Sequence, residues 1–377
     1  MRIGLDVSGA IGRPSGLRRY VEGLLGGFAA AGGDHEFFVY AAFWGDFPAR
    51  AESLKIPDSP RFHRVFKRVP QRLLLGAEAK LGLRVQERWL APHKLELFHG
   101  FASILPPLRG LKSALSLYHV GGQLDSTSAW NDFYFGEAPR RSALAADRLI
   151  ACSEYTRQEA IKILKVDPAK VDTVWLGGAG PEFHAAPAPE RVKALGVSGP
   201  YLLFVSALNN RKNLPRLVQA FAKLKEKGSK HSLVMVGRPD ASAVPLKEEV
   251  AKLGVASSVK FFEALPQEDL VALYRGADLF VYPSILEGFG LPVIEAMACE
   301  VPVVVANASC MPEIAGDAAL FFDGNDADDL ARQLERGLND KDLRADLIGK
   351  GRARAALFDW TTCATGTLAS YQNALSK

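Results

Sequence analysis

Cysteine is scarce in this chain and never clustered. Cys152, Cys299, Cys310 and Cys363 are the four in 377 residues, and no CxxC pair occurs. That spacing excludes a disulfide framework and a cysteine metal cluster. Each thiol sits among small or apolar neighbours, as free buried cysteines of a reducing compartment do. Long apolar runs are missing as well. None reaches the roughly 18 residues of a membrane-spanning helix, so none is expected. The opening MRIGLDVSGA carries Asp6 inside a short apolar run, which reads as a first β-strand and not as a signal peptide. A one-signed charge excess is also absent. The net charge is +4, which gives no argument for a nucleic-acid partner.

What is present is ordinary globular material. Hydrophobic residues make up 48% and charged residues 23%, enough for well-filled cores. The length favours two domains. Short β-rich runs recur at RIGLDVS, EFFVYAA, LELFHG, SALSLYH and RLIACS, and again at YLLFVSA, SLVMVG, VKFFEA, LFVYPS and VPVVVA. Helical patterns such as RRYVEGLLGGFAAAG, NLPRLVQAFAKLKEKG and DADDLARQLERGLND lie between them. This alternation predicts α/β architecture, parallel sheets with helices on both faces. The Gly, Ala and Pro-rich stretch from Gly177 to Gly199 marks a break. Two doubly wound domains are predicted, 1–178 and 200–355. The final segment 359–377 reads as a helix that closes back over the first domain. Ligands in such sheets bind at strand carboxyl ends, and two facing domains make a cleft there.

The segment SILEGFGLPVIEAMA, residues 284–298, places Glu287 and Glu295 eight positions apart among apolar residues, Gly and Pro. Pro292 suits the first turn of a helix, and Gly288 and Gly290 suit a tight loop before it. The amides of Gly288, Phe289, Gly290 and Leu291 then converge at a helix N-terminus, a natural anion site. Glu295 needs a partner in so apolar a setting. Chemistry alone leaves two readings open: Glu295 satisfies helix-terminal amides, or it accepts hydrogen bonds from ligand hydroxyls with Glu287 nearby.

This segment resembles the E-x7-E signature of the retaining glycosyltransferases of the group 1 family (glycosyltransferase family 4), and bacterial mannosyltransferases in particular. The resemblance implies the GT-B fold, two Rossmann-like domains facing across a cleft. The first would bind the acceptor and the second the nucleotide-sugar donor. It implies that Glu295 binds the nucleotide ribose, that Glu287 lies by the donor sugar, and that the loop amides meet sugar and diphosphate.

Other motifs extend the resemblance over nearly the whole chain. In VSALNNRKNLPRLVQAF, Arg211 and Lys212 stand between a strand and a helix, where two cations can hold a diphosphate. They match the family's RKN element, which binds the donor pyrophosphate. In SGAIGRPSGLRRYVEGLL the glycines precede a helix. The family's first loop brings backbone close to the diphosphate at such a glycine, which points to Gly16 and then Gly12. His99 and His119 each end a predicted strand. His119 falls where relatives carry HD and touch the donor sugar, with Val120 here in place of the usual Asp. His99 resembles an acceptor-side FHG…LP element. In CSEYTRQEAIKIL, Ser153 reads as a helix cap, and Arg157 is a candidate for the acceptor side. By resemblance the base lies near Glu263–Leu265, with Leu265 and Ser284 among the donor-binding residues. Residues 61–94 hold nine basic residues against two acidic ones, interleaved with Phe, Leu and Trp. The segment reads either as a solvated basic surface or as an amphipathic face for anionic lipid.

The function implied is retaining transfer of a hexose, GDP-mannose favoured over a UDP-hexose, to a hydroxyl of a glycan or lipid-linked acceptor in surface polysaccharide assembly. It would take place in the cytoplasm or on the inner face of the membrane. GT-B enzymes commonly hold the diphosphate with amides and cations, so no metal or other cofactor is expected. The implied mechanism is a front-face displacement in which donor phosphate takes the acceptor proton. A GT-B sugar-nucleotide epimerase, with Asp6 and Asp125 as candidate acids, and a non-catalytic sugar-nucleotide-binding protein are the rival readings.

Overall fold

The computed structural model describes residues 1–12, 15–81, 83–101, 104–118, 120, 138–184, 186–239 and 246–376. The chain forms two compact units, Met1–Gly177 joined by Asp359–Lys377, and Gly178–Phe358.

Among the described residues the first unit has a seven-stranded sheet. Its strands are β1 (Arg2–Asp6), β2 (Glu36–Phe43), β3 (Phe62–Arg68), β4 (Leu97–Gly100), β5 (Lys112–Leu117), β6 (Arg148–Ala151) and β7 (Val171–Thr173), in the order β3-β2-β1-β4-β5-β6-β7. All its pairs are parallel. The second unit has six strands, β8 (Tyr201–Val205), β9 (Ser232–Val236), β10 (Val259–Phe262), β11 (Leu279–Tyr282), β12 (Val303–Ala306) and β13 (Ala319–Phe322). Their order is β10-β9-β8-β11-β12-β13, again all parallel. Each sheet is doubly wound, and the strand order reverses beside β1 and beside β8. Central strands such as LFVY of β11 are apolar on both faces because helices cover both. In the helix Leu214–Glu226, Leu214, Leu217, Val218, Phe221 and Leu224 are buried. Their spacing is that of one apolar helix face.

Three strands were not among those predicted. β7, three residues long, is too short to carry a period, and β13 (ALFF) is as long as several strands that were read. β3 lies inside the basic stretch, so that stretch is a strand followed by helices. Among the described residues FHRVFKR is an edge strand that pairs with β2 alone, and its cations blunt that edge against further pairing. Two helices, Gln71–Leu81 and Val85–Leu90, follow it. Leu74 and Leu90 are buried in a cluster with Tyr40 and Phe98. The Gly, Ala and Pro-rich segment after Gly177 also has structure of its own. Phe183 is fully buried there, and its carbonyl accepts from Cys299 Sγ at 3.1 Å.

The helix Trp360–Leu375 packs against the helix Gly16–Ala31 in the first unit. Contact is close because two glycines line it. A Cβ on Gly23 would lie 2.2 Å from the Trp360 indole, and one on Gly27 would lie 2.1 Å from the Trp360 carbonyl oxygen. Neither could be accommodated without moving a helix.

Candidate active site

The site forms where a doubly wound sheet places ligands, at the strand carboxyl ends beside the reversal of strand order. In the second unit that point lies between β8 and β11. The loop after β8 runs through a 3-10 turn, Asn210–Lys212, and reaches its helix through Asn213 at φ 54°. Asparagine tolerates this left-handed conformation better than most residues. The loop after β11 ends at Gly290, φ 101°, which caps the helix Leu291–Ala298. A side chain at Gly290 would also meet Met311 Cε at 2.6 Å. One backbone bond, Ile285 N–H to Arg211 O at 3.1 Å, ties the two loops together.

Four side chains meet there. Lys212 Nζ donates to Glu287 Oε1, and to Tyr282 Oη at 2.9 Å. Tyr282 donates in turn to Glu287 Oε1 at 3.0 Å. Arg211 Nη1 donates to Glu287 Oε2 at 3.2 Å and to the Leu286 carbonyl at 3.1 Å. Lys212 is 2% exposed and Glu287 7%, while the Arg211 side chain is 34% exposed. Burial alone would raise the Glu287 carboxyl. Attraction to Lys212 and then Arg211, with hydrogen bonding from Lys212, outweighs it and holds the pKa down to about 2. Burial draws the Lys212 ammonium below its ordinary value, opposed by Glu287. The charged pair is the state this geometry supports, because a neutral amine would leave a buried carboxylate with Arg211 alone. Two cations and one carboxylate leave a net positive charge beside a helix N-terminus, an arrangement that attracts anions.

Ser284 is fully buried at the edge of this cluster, and its Oγ makes no hydrogen bond of normal geometry. Glu287 N–H donates to Ser309 Oγ at 3.1 Å. Phe289 is buried edge-to-face against Phe358, centroids 5.4 Å apart, and Leu291 opens the helix. Gly288 precedes them in the same loop. Glu295 does not join the cluster. It is 2% exposed and accepts from Tyr274 Oη at 2.9 Å. Leu265 follows β10, at the same end of the sheet but two strands from β8, and is half-buried.

In the first unit, Gly12 takes φ 104°. Its N–H donates to Ser53 Oγ at 3.2 Å, and its carbonyl accepts from Arg18 at 3.1 Å. Gly16 opens its helix behind the Ser15 cap, and a Cβ there would meet nothing within 4 Å. His99 is fully buried in β4. Nδ1 pairs with Tyr371 Oη at 2.6 Å and Nε2 with Ser116 Oγ at 2.8 Å. Burial lowers its pKa to about 3. Both ring nitrogens are therefore occupied by protein, which leaves the acceptor-side expectation without a ring atom to offer. Arg157 likewise spends its guanidinium on the Val171 and Pro168 carbonyls and on Glu154. It ties its helix to β7. His119 and Asp125 lie outside the described residues.

The motif reading placed Tyr282 only as leading into the signature loop and gave no role to Tyr274, yet these two hydroxyls hold the signature glutamates. The available signal was a tyrosine at the carboxyl end of a buried strand, five residues before a glutamate.

Comparison with known proteins now fixes the class. Residues 14–177 match the model "Glycosyltransferase Family 4", and residues 190–354 match "Glycosyl transferases group 1". The O-antigen chain mannosyltransferase B of Escherichia coli is 30% identical over 309 residues, 80% of this chain and 81% of that protein. Sucrose-phosphate synthase from Thermosynechococcus elongatus superposes with a TM-score of 0.78 at 22% identity, covering 100% of this chain and 99% of that one. The Anabaena protein HepE in complex with UDP-glucose gives 0.73 at 19% identity, covering 99% of each. The two sheets are thus those of a GT-B glycosyltransferase. The chain belongs to the group 1 glycosyltransferases, glycosyltransferase family 4, a retaining family.

Proposed function

We propose that this glycosyltransferase moves a hexose from a nucleotide diphosphate sugar, GDP-mannose in first place and a UDP-hexose in second, to a hydroxyl of a glycan or lipid-linked acceptor in surface polysaccharide assembly. The observation that carries the reading is the net positive cluster of Arg211, Lys212 and Glu287 at the switch point of the second sheet. It puts fixed positive charge and a helix N-terminus where a departing diphosphate gathers negative charge, the kind of preorganised stabilisation that lowers a barrier most. The mannosyltransferase relative supports the choice of sugar and acceptor. In this reading the second unit holds the donor. Glu287 takes sugar hydroxyls, Glu295 the ribose, and Leu265 lies on the base side. The first unit takes the acceptor, with Gly16 as the open backbone approach.

The test is transfer from GDP-mannose and UDP-glucose to short glycan acceptors, with the anomeric configuration of the product read by NMR. Activity is expected to persist in excess chelator, because the cations and the helix N-terminus neutralise the diphosphate. A strict need for added divalent metal would overturn that account. A nucleotide panel by thermal shift identifies the base, since a ligand at a hundred times its Kd stabilises by about 2.7 kcal/mol. Glu295→Gln is expected to weaken binding of the matching nucleoside diphosphate about tenfold, the loss of a charged hydrogen bond. Inorganic pyrophosphate, which has no ribose, should bind it as it binds the wild type. Equal losses for both ligands would remove Glu295 from the ribose.

The same reading includes contact with an anionic bilayer through residues 61–94. Trp44 is 57% exposed beside that segment, and Leu73 and Leu81 are 68% and 71% exposed within it. Arg68 lies 5.3 Å over the Trp44 ring. Such apolar tips flanked by cations suit anionic headgroups. The expectation is sedimentation with phosphatidylglycerol vesicles, reduced by Leu73→Glu and Leu81→Glu. Equal sedimentation with neutral vesicles would remove the electrostatic part.

A further inference from the structure

The first unit carries an exposed aromatic at the end of its sheet where a doubly wound fold binds ligands. Trp44 directly follows β2 and is 57% exposed. Its surroundings hold it in place. The Trp44 carbonyl accepts from Arg50 Nη1 at 2.7 Å. Gly45 at φ 71° and Asp46 at φ 33° then turn the chain into the helix Phe47–Glu52. Phe43, the last residue of β2, stacks on Phe47 at 4.6 Å and meets Phe66 edge-on at 5.8 Å. Arg68 at the end of β3 lies 5.3 Å over the indole, a cation–π contact that leaves most of Trp44 open to solvent.

Two neighbours decide what suits this ring. Arg50 also lies beside Gly12, where a Cβ would meet its Nε at 3.4 Å. One arginine side chain thus spans from the first loop to Trp44. Asp46 is exposed and caps its helix without a side-chain bond. Among the described residues no hydrogen bond or ion pair engages its carboxylate. A flat indole beside a free carboxylate matches the two chemistries of a pyranose. The C–H groups of one sugar face pack on the ring, and hydroxyls at the sugar's edge donate to the carboxylate. A phosphate or an anionic headgroup on the same ring would be repelled by Asp46.

We propose that Trp44 and Asp46 form an acceptor subsite, in which the indole stacks on one hexose ring of a glycan and Asp46 accepts from its hydroxyls. This rests on the reading that the first unit takes a glycan acceptor, and adds where that chain is gripped. Because Arg50 stands between Trp44 and the first loop, the ring held is one further along than the sugar whose hydroxyl reacts. The subsite therefore sets acceptor affinity and length preference and leaves the chemical step alone. Bilayer contact through Leu73 and Leu81 does not need it.

The experiment compares wild type, Trp44→Ala, Trp44→Tyr and Asp46→Asn in transfer to methyl α-mannoside, α-mannotriose, maltotriose and chitotriose. NMR of nitrogen-labelled protein with the three trisaccharides reads binding directly. The chain has five tryptophans, and the indole N–H signal absent from Trp44→Tyr is that of Trp44. It should shift when a trisaccharide is added without donor. For the trisaccharide that wild type uses, Trp44→Ala should raise KM about tenfold with kcat nearly unchanged, and Trp44→Tyr should raise it only about twofold. Asp46→Asn should raise it several-fold by loss of a charged acceptor. Asparagine tolerates the left-handed turn as aspartate does, so the backbone is kept. For methyl α-mannoside, which has no second ring, KM should change little in any variant.

A Trp44 signal that no trisaccharide moves, or an unchanged trisaccharide KM in Trp44→Ala, would overturn the subsite and leave the glycan acceptor in place. An equal loss with methyl α-mannoside would overturn its placement beyond the reacting sugar. Loss of sedimentation with phosphatidylglycerol vesicles in Trp44→Ala, with glycan KM unchanged, would give the indole to the bilayer instead. A wild type that binds GDP or UDP yet neither binds nor glycosylates any of these sugars is a different result. It removes the glycan acceptor reading, and the subsite with it.

Discussion

Lys212→Met is expected to lose about 3–5 kcal/mol of folding stability, and Lys212→Met/Glu287→Gln to recover most of that loss. The first figure is the usual cost of leaving one member of a buried ion pair alone. The recovery follows because a buried pair contributes little beyond the desolvation of its two members. Both partners are nearly inaccessible, so water cannot screen the orphan. The same pair makes the second unit acid-sensitive. The folded pKa of Glu287 is about 2, below the ordinary glutamate value of about 4.5. The folded state therefore binds the proton less readily than the unfolded one. The stabilisation is complete above about pH 4.5 and is lost as pH falls toward 2, about 3 kcal/mol in all. Glu287→Gln should flatten that part of the stability profile. Far-UV circular dichroism in urea, repeated between pH 2 and 6, measures both effects. A Lys212→Met single variant as stable as the double would show that the ammonium is not buried against a charged carboxylate.

Two neighbouring glycines should respond to alanine with opposite signs. Gly27→Ala is expected to destabilise the first unit by about 2–3 kcal/mol, the cost of overpacking a closed contact. Its new methyl has the Trp360 carbonyl 2.1 Å away and the Ala364 Cβ 3.0 Å away. Gly26→Ala lies one residue earlier on the same helix, and its methyl meets nothing within 4 Å. It should stabilise by up to about 1 kcal/mol, the difference in helix propensity. All five tryptophans lie in the first unit, so their fluorescence in urea follows it alone. Stabilisation by both variants would mean that the C-terminal helix is not seated on Gly27.

The alternation of apolar runs and helical patterns made the α/β class and the central strands legible, because strands covered on both faces are written as continuous apolar runs. β3 was hidden by its function as an edge. Val65 alone of its seven residues is buried, so its cations resemble a surface segment. In the site, spacing and loop glycines brought Glu287 and Gly290 to notice, and the resemblance to the family's RKN element brought Arg211 and Lys212. They could not distinguish the two cations, since enclosure of Lys212 by Tyr282 depends on where β11 ends relative to β8. His99 and Arg157 show the opposite limit. Each stood in a suggestive motif, and each is fully engaged by partners that no local pattern names, Tyr371 from 272 residues away in one case.

That long-range bond has a consequence for how the chain is made. The first unit needs Trp360–Leu375, yet all of Gly178–Phe358 is translated in between. At about 5–20 residues per second the ribosome takes roughly ten to forty seconds over that interval. Throughout it, the small-residue face at Gly23 and Gly27 and the His99 ring stand without the helix that completes them. The nascent first half therefore keeps that face open until Trp360–Leu375 emerges, while the second unit is continuous in sequence and needs no later segment to complete it.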